Sequence, residues 1–146
     1  MQPADQEHDV TVTGGCLCRA VRYQIDAAPL TSRACWCRLC QYIGAGSGTV
    51  NVCFPSAATL IQGALSDYVS TADSGNVMHR RFCPTCGVHV FSEAEARPHL
   101  IFVRAGTLDD PEIGKPLASI WTSQAPGWAC VDTLLPQFEQ QPPPAG

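Results

Sequence analysis

The sequence carries little positive charge, and Lys115 is its only lysine. The formal net charge at pH 7 is −4, whereas proteins that bind nucleic acids favour a strongly basic face. We therefore expect no nucleic-acid partner. Covalent chemistry through a Schiff base would depend on Lys115 alone, which lies in the polar, turn-like stretch EIGKP.

Long apolar segments are missing as well. No run reaches the roughly 20 residues of a transmembrane helix, and the start MQPADQEHDV has neither the basic region nor the apolar core of a signal peptide. We expect a cytoplasmic protein with no membrane partner. In that reducing compartment cysteines are free, catalytic or metal-bound rather than disulfide-bonded.

The sequence also lacks a sustained apolar period of 3.6 residues, which is the pattern of long helices. Short runs with alternating, β-branched or aromatic residues occur instead, namely AVRYQI, TVNVCF, ATLIQG, LSDYVS, VMHRRF, VHVFS, LIFVRAG and LASIW. They predict a mainly β domain of antiparallel strands over residues 11–139, with short helical turns in CRLCQYIG and SAATL. Residues 1–10 and the Pro-rich residues 140–146 are predicted to be flexible tails.

Cysteine, in contrast, is abundant, with nine residues that fall mostly into close groups. The segment CPTCG, which holds Cys83 and Cys86, is typical of a zinc knuckle. Cys16 and Cys18 are two residues apart, so on a strand they would share a face and supply a second pair. We therefore predict a closed, structural zinc site made of these four cysteines. Buried thiols or disulfide bonds are the alternative.

A second group, in the segment CWCRLC, offers the three thiolates of Cys35, Cys37 and Cys40. Three protein ligands and an open position are typical of catalytic zinc, and an incoming small-molecule thiol would be held there as a thiolate. Arg38, inside the motif, is a candidate to balance the negative charge of such a centre. The alternative is that Cys53 or a histidine completes a closed site.

The motifs GGCLCRAVRYQI, CWCRLCQ, RRFCPTCGVHVF, RAGTLDDPE and SIWT, in this order and spacing, resemble those of the glutathione-dependent formaldehyde-activating enzymes. The same domain also occurs in centromere protein V. The resemblance extends from about Thr11 to Glu139, and it implies a zinc-binding β-tent fold. Its implied structural ligands are Cys16, Cys18, Cys83 and Cys86, and its implied catalytic ligands are Cys35, Cys37 and Cys40.

The activity that the resemblance implies is that of a carbon–sulfur lyase, which reversibly joins formaldehyde and glutathione into S-hydroxymethylglutathione. Two zinc ions per chain are expected, one structural and one catalytic or labile. Two positions differ from the usual pattern of that family, because Trp36 stands where histidine is frequent and Gln41 where arginine is frequent. Trp36 and Gln41 are our candidates for contacts with glutathione, and Trp36 is expected to line the substrate pocket.

Other functions remain compatible with the sequence. The first is a lyase or isomerase that acts on a larger carbonyl compound, for which Trp36 would provide a more apolar entrance. The second is a non-catalytic zinc module that binds a protein partner, and the third is a zinc store or redox sensor. The sequence carries no indication of the oligomeric state.

Overall fold

Ten short strands and one short α-helix form the framework of the computed structural model, which describes residues 10–143. The strands are β1 (Val12–Gly15), β2 (Arg22–Ile25), β3 (Thr31–Cys35), β4 (Thr49–Pro55), β5 (Thr59–Gln62), β6 (Ser66–Thr71), β7 (Val77–Phe82), β8 (His89–Ala94), β9 (Leu100–Arg104) and β10 (Ala118–Ile120). The mainly β fold class is confirmed. Of the predicted tails, residues 1–9 and 144–146 lie outside the described residues.

The strands form two sheets. A three-stranded antiparallel sheet has the order β1-β2-β5, and a seven-stranded sheet has the order β10-β3-β4-β9-β8-β7-β6. Neighbours in the large sheet are antiparallel except for β10, which runs parallel to β3 and places Ile120 opposite Cys35. The predicted antiparallel arrangement holds with this one exception. A parallel pair needs a crossover connection, and here the chain between β3 and β10 supplies it.

The helix α1 (Arg38–Ile43) follows directly on β3. Its N-cap is Cys37, whose Sγ accepts a hydrogen bond from the backbone N–H of Cys40 at 3.4 Å. It ends at Gly44, whose N–H donates to the carbonyl of Cys40 at 2.7 Å. The helical turn predicted in CRLCQYIG is therefore confirmed. The turn predicted in SAATL is a 3₁₀ helix at Ser56–Ala58.

Apolar side chains from both sheets form the main core. Tyr23 of β2 meets Phe91 of β8 edge to face, with ring centroids 5.2 Å apart, and Val52 and Val103 of the large sheet are fully buried in the same cluster. Because side chains alternate between the faces of a strand, the positions next to these residues point to the opposite face. The candidate functional cavity lies on that opposite face of the large sheet.

Two local expectations differ from the structure. The strands β1 and β3 were not among the predicted runs, because their segments VTGG and TSRAC contain few large apolar residues. The strand position expected for Cys16 and Cys18 is also wrong, since β1 ends at Gly15 and both cysteines lie in the following turn. That turn is closed by a hydrogen bond from the N–H of Cys16 to the carbonyl of Val21 at 3.0 Å.

The residues that follow Glu139 also contact the rest of the domain. The N–H of Trp121 donates to the carbonyl of Gln140 at 3.4 Å, and the guanidinium of Arg33 donates to the carbonyl of Pro143 at 3.3 Å. Residues 140–143, predicted as part of a tail, therefore pack against the sheet. Among the described residues, no helix is long and apolar enough to cross a membrane.

Candidate metal centres and cavity

The first cysteine cluster joins two turns that are distant in sequence. Cys16 and Cys18 come from the turn after β1, and Cys83 and Cys86 from the turn between β7 and β8; all four sulfurs lie within 4.8 Å of one another. The Sγ atoms are 3.6 Å apart for Cys16 and Cys18 and 3.7 Å apart for Cys18 and Cys83. Thiolates around a tetrahedral zinc ion are expected about 3.8 Å apart. This donor set therefore fits a metal ion in a closed site.

Backbone N–H groups point at these sulfurs. The N–H of Val21 donates to Sγ of Cys16 at 3.3 Å. Hydrogen bonds from the N–H groups of Cys18 and Val88 lower the pKa of Cys86 to about 6. Such donors stabilise thiolates, which are the form of cysteine that binds metals.

The second cluster lies where β3 ends and α1 begins. Cys35 is the last residue of β3, Cys37 caps the helix and Cys40 lies in its first turn, so their three sulfurs converge within 4.8 Å. Within residues 10–143, no fourth Cys, His, Asp or Glu ligand atom joins them. Cys53, considered from the sequence as a fourth ligand, is fully buried on β4 and lies outside the cluster.

A cavity of about 560 Å³ opens over the second cluster. Its floor is the outer face of the large sheet, with alternate strand positions such as Asn51, Ser92 and Phe102. Its sides include the turn between β6 and β7, residues 72–76, and residues 140–142. This volume is within the range of pockets that bind small molecules.

Positive charge dominates the lining of this cavity. Its basic residues are Arg33, Arg80, Arg97 and Arg104, and Asp73 is the acidic residue among the described lining residues. Arginine binds carboxylates through two parallel hydrogen bonds, so the cavity favours an anionic ligand. Sequence reasoning did not identify these four residues. The signal available in the sequence was that Arg80 in the run VMHRRF and Arg104 in the run LIFVRAG occupy strand positions, where side chains alternate between the two faces of the sheet.

Two of these arginines are deeply buried, since only 6% of the surface of Arg80 and 7% of that of Arg104 is exposed. Arg80 donates to Oγ of Ser70 at 2.7 Å, and Arg104 donates to Oδ1 of Asn51. Within the described part of the chain, neither forms an ion pair with a carboxylate. Their charges therefore have to be compensated by the cysteine cluster or by a bound anion.

The thiols and these arginines interact electrostatically. Hydrogen bonds from Cys35 and Cys37, assisted by the positive charge of Arg104, lower the pKa of Cys40 to about 2. Hydrogen bonds with Cys37 and Cys40 raise the pKa of Cys35, and burial of its thiol adds to this shift. Burial lowers the pKa of Arg80, while the three cysteines oppose that shift. Within the cluster, Cys40 is therefore the thiol best suited to carry negative charge.

The structure places Arg38 outside the cavity lining. This residue is exposed, and its guanidinium donates to Oε1 of Gln41 at 2.5 Å and lies 5.3 Å from the ring centre of Tyr42. Gln41 is buried, and its Nε2 donates to the carbonyls of Trp36 at 2.8 Å and Gln124 at 2.9 Å. Gln41 thus connects the start of α1 to the segment after β10.

Trp36 is buried against the loop that follows α1. A Cβ atom on Gly48 would lie 3.0 Å from the indole ring, so the ring and the glycine are in close contact. The tryptophan that lines the cavity is Trp121, which packs with Cys35 and Cys40.

The histidines of the sheet are engaged elsewhere. His79 lies between two carboxylates, with Nδ1 2.6 Å from Oδ2 of Asp67 and Nε2 2.7 Å from Oε2 of Glu95. His89 stacks on Phe82 with ring centres 5.3 Å apart. Neither histidine is part of the second cysteine cluster.

Comparison with known proteins identifies a family and similar solved structures. The family model described as glutathione-dependent formaldehyde-activating enzyme matches residues 11–124. A crystal structure of a Rhodobacter sphaeroides protein, a structural-genomics target, is similar with a TM-score of 0.55 and 22% sequence identity. The match covers 71% of this chain and 96% of that chain. At this level of identity, the similarity concerns the fold.

Proposed function

Because the chain belongs to the family of glutathione-dependent formaldehyde-activating enzymes, we propose that it catalyses the reversible addition of glutathione to formaldehyde or another small aldehyde. This is a carbon–sulfur lyase activity of the S-(hydroxymethyl)glutathione synthase type. The observation that carries the proposal is the cluster of three thiols that opens into an arginine-lined cavity. We expect the protein to act in the cytoplasm, where glutathione is kept reduced.

The metal proposed for both clusters is zinc, one ion in each. An all-cysteine donor set is soft and suits zinc, and the closed cluster of Cys16, Cys18, Cys83 and Cys86 has the geometry of a structural site. At the second cluster, Cys35, Cys37 and Cys40 would hold the ion, which when bound keeps an incoming thiol deprotonated at neutral pH.

The side chains of the cavity fit the charged groups of glutathione. That tripeptide has two carboxylates and one ammonium group, and the lining offers four guanidinium groups and the carboxylate of Asp73. The buried pair Arg80 and Arg104 balances the charge of the thiolates, which is the role that the sequence suggested for Arg38. Trp121 adds apolar surface beside the cysteines, where it helps to exclude water, and Phe102 adds apolar surface elsewhere in the cavity lining.

The reaction needs no oxidant or reductant. The sulfur of glutathione attacks the carbonyl carbon, a carbon–sulfur bond forms, and the electron pair of the carbonyl π bond moves to oxygen. The proton that the thiol loses is returned to that oxygen, so the product is the sum of glutathione and formaldehyde. The reverse reaction breaks the same bond, and positioning of the two reactants supplies much of the acceleration.

The proposal is tested by exchange-spectroscopy NMR of glutathione and formaldehyde at equilibrium, because this method measures the interconversion even though the uncatalysed reaction proceeds. We expect the protein to accelerate the exchange and Cys37→Ser to abolish the acceleration. Cys130→Ser, an exposed cysteine outside both clusters, is the control and should retain the rate. An exchange rate equal to that of buffer, in a protein that carries two metal ions by native mass spectrometry, would reject the proposed activity.

A further inference from the structure

One edge of the large sheet is extended by residues 136–143, which we call the C-terminal strip. It runs beside β10, where the N–H of Ser119 donates to the carbonyl of Pro136 at 2.9 Å and the N–H of Phe138 donates to the carbonyl of Ser119 at 2.9 Å. These bonds bracket a parallel bridge between Ser119 and Gln137. The strip is thus attached to the same sheet that carries the cavity.

Past this attachment, the strip forms a wall of the cavity. Gln140, Gln141 and Pro142 all line it. The indole Nε1 of Trp121 donates to Oε1 of Gln141 at 3.0 Å, and the guanidinium of Arg33 donates to the carbonyl of Pro143 at 3.3 Å. Both donors also line the cavity, so its own residues hold the wall in place.

The backbone of Trp121 supports this arrangement. It adopts the left-handed conformation, with φ 55° and ψ 34°, which is rare for a large aromatic residue. The conformation lets the ring pack with Cys35 and Cys40 while its N–H reaches the strip. Strained residues of this kind persist where the surrounding contacts constrain them, often at functional sites.

We infer that the C-terminal strip determines which thiols reach the second cysteine cluster. The turn at residues 72–76 borders the cavity as well, so the position of the strip sets the room available between these walls. Thiols up to the size of a tripeptide are admitted, whereas longer γ-glutamylcysteine oligomers require the space that Gln141 and Pro142 occupy. That the ligand is a thiol depends on the proposed function, whereas the existence of the wall depends only on the contacts described above. The strip lies outside residues 11–124, the part that matches the family.

The test compares the full chain with a chain that ends at Glu139 and with Gln141→Ala. Calorimetry gives the ratio of the affinity for glutathione to that for a longer γ-glutamylcysteine oligomer. The full chain should prefer glutathione by about tenfold or more, and truncation should bring the ratio close to one. Gln141→Ala should shift the ratio in the same direction by less. Leu134→Ala, which alters an exposed residue just before the strip, should leave the ratio unchanged.

A second measurement examines the wall without a thiol ligand. Proteins as purified are treated with iodoacetamide or with a bulky biotin maleimide, and mass spectrometry follows alkylation of the peptides that carry Cys35, Cys37 and Cys40. Truncation and Gln141→Ala should increase the rate of the bulky reagent relative to the small one. If neither variant changes the affinity ratio or the relative alkylation rate, the inference is wrong. If bulky access increases but no variant binds any thiol, the wall is supported and the proposed thiol function is rejected.

Discussion

At the scale of single residues, the two buried arginines of the cavity are the most informative. Burial of an unpaired guanidinium is costly, and within the described residues Arg80 and Arg104 have no carboxylate partner. Both lie close enough to the cysteines of the second cluster to interact with them electrostatically. The negative charge of metal-bound thiolates would therefore stabilise the arginines, and the arginines would stabilise the metal centre.

This reciprocity predicts the effect of Arg104→Met. Removal of the positive charge should weaken metal binding at the second cluster by roughly 10- to 100-fold, measured as the rate of metal transfer to a chromogenic chelator. Arg38→Met is the matched control, because Arg38 is exposed and contacts Gln41 and Tyr42. Equal metal loss from the two variants, or faster loss from Arg38→Met, would show that the buried arginines do not serve this role.

The comparison of Arg38 with Arg104 also shows how far the sequence predicts the site. Both cysteine clusters could be predicted, because metal ligands recur at fixed short spacings. The charged lining could not, since Arg80 and Arg104 reach the cysteines only through the order and register of strands that are distant in sequence. Arg38 is close to the cysteines in sequence, but helix α1 directs its side chain toward Gln41 and Tyr42.

At the scale of elements, the hairpin of β6 and β7 forms one side of the cavity. His79 of β7 contacts a carboxylate on β6 and another just after β8. Each ring nitrogen of His79 faces a carboxylate, so both nitrogens donate hydrogen bonds when the ring is protonated. Hydrogen bonds with Asp67, and then with Glu95, raise the pKa of His79 above 6.5. Protonated His79 therefore connects β6, β7 and the end of β8.

A raised pKa in the folded state gives a stability contribution with a defined pH dependence. It is fully present below pH 6.5, where the unfolded chain also binds the proton, and it is lost as the pH rises through the raised folded pKa. We expect His79→Gln to lower the urea midpoint at pH 6 more than at pH 9. Tyr68→Phe, on the neighbouring strand, is the control. A decrease that is the same at both pH values would contradict the ion-pair role of His79.

Prediction succeeded unevenly among the elements. Eight apolar or alternating runs became strands, and most of them bury part of one face, whereas Leu60 and Ile61 of β5 are exposed. The strand β3 escaped prediction because its residues Thr31, Ser32 and Arg33 are polar, although Ser32 is buried and donates to the carbonyl of Gly114 at 2.8 Å. The parallel pairing of β10 with β3 could not be predicted either, because alternation within a strand carries no information on its neighbour.

At the scale of the whole molecule, the two cysteine clusters lie in different surroundings. Cys16 and Cys83 are part of the core between the two sheets, whereas the second cluster lies beside the cavity on the outer side of the large sheet. A metal ion held by the first cluster would therefore support folding, because it would connect the turn after β1 to the turn after β7.

This difference predicts opposite results for two cysteine substitutions. Cys86→Ser should lower the free energy of unfolding by roughly 3 kcal/mol or more, because the closed site loses a ligand. Cys37→Ser should remain folded with one metal ion per chain. Circular dichroism during urea unfolding and native mass spectrometry measure the two effects. Unfolding by Cys37→Ser, or a folded Cys86→Ser with unchanged stability, would reverse the assignment of the two sites.

The attachment of the C-terminal strip has a consequence for biosynthesis. Protein domains begin to fold from the N-terminal side while the ribosome still extends the chain. Cys35, Cys37 and Cys40, together with β7 and β9, are synthesised before residues 136–143. A metal donor can therefore approach the thiols while this side of the cavity is still open, and the enclosure is completed afterwards. In the folded protein, a metal lost from this cluster would have to be replaced with residues 140–142 already in place at the side of the cavity.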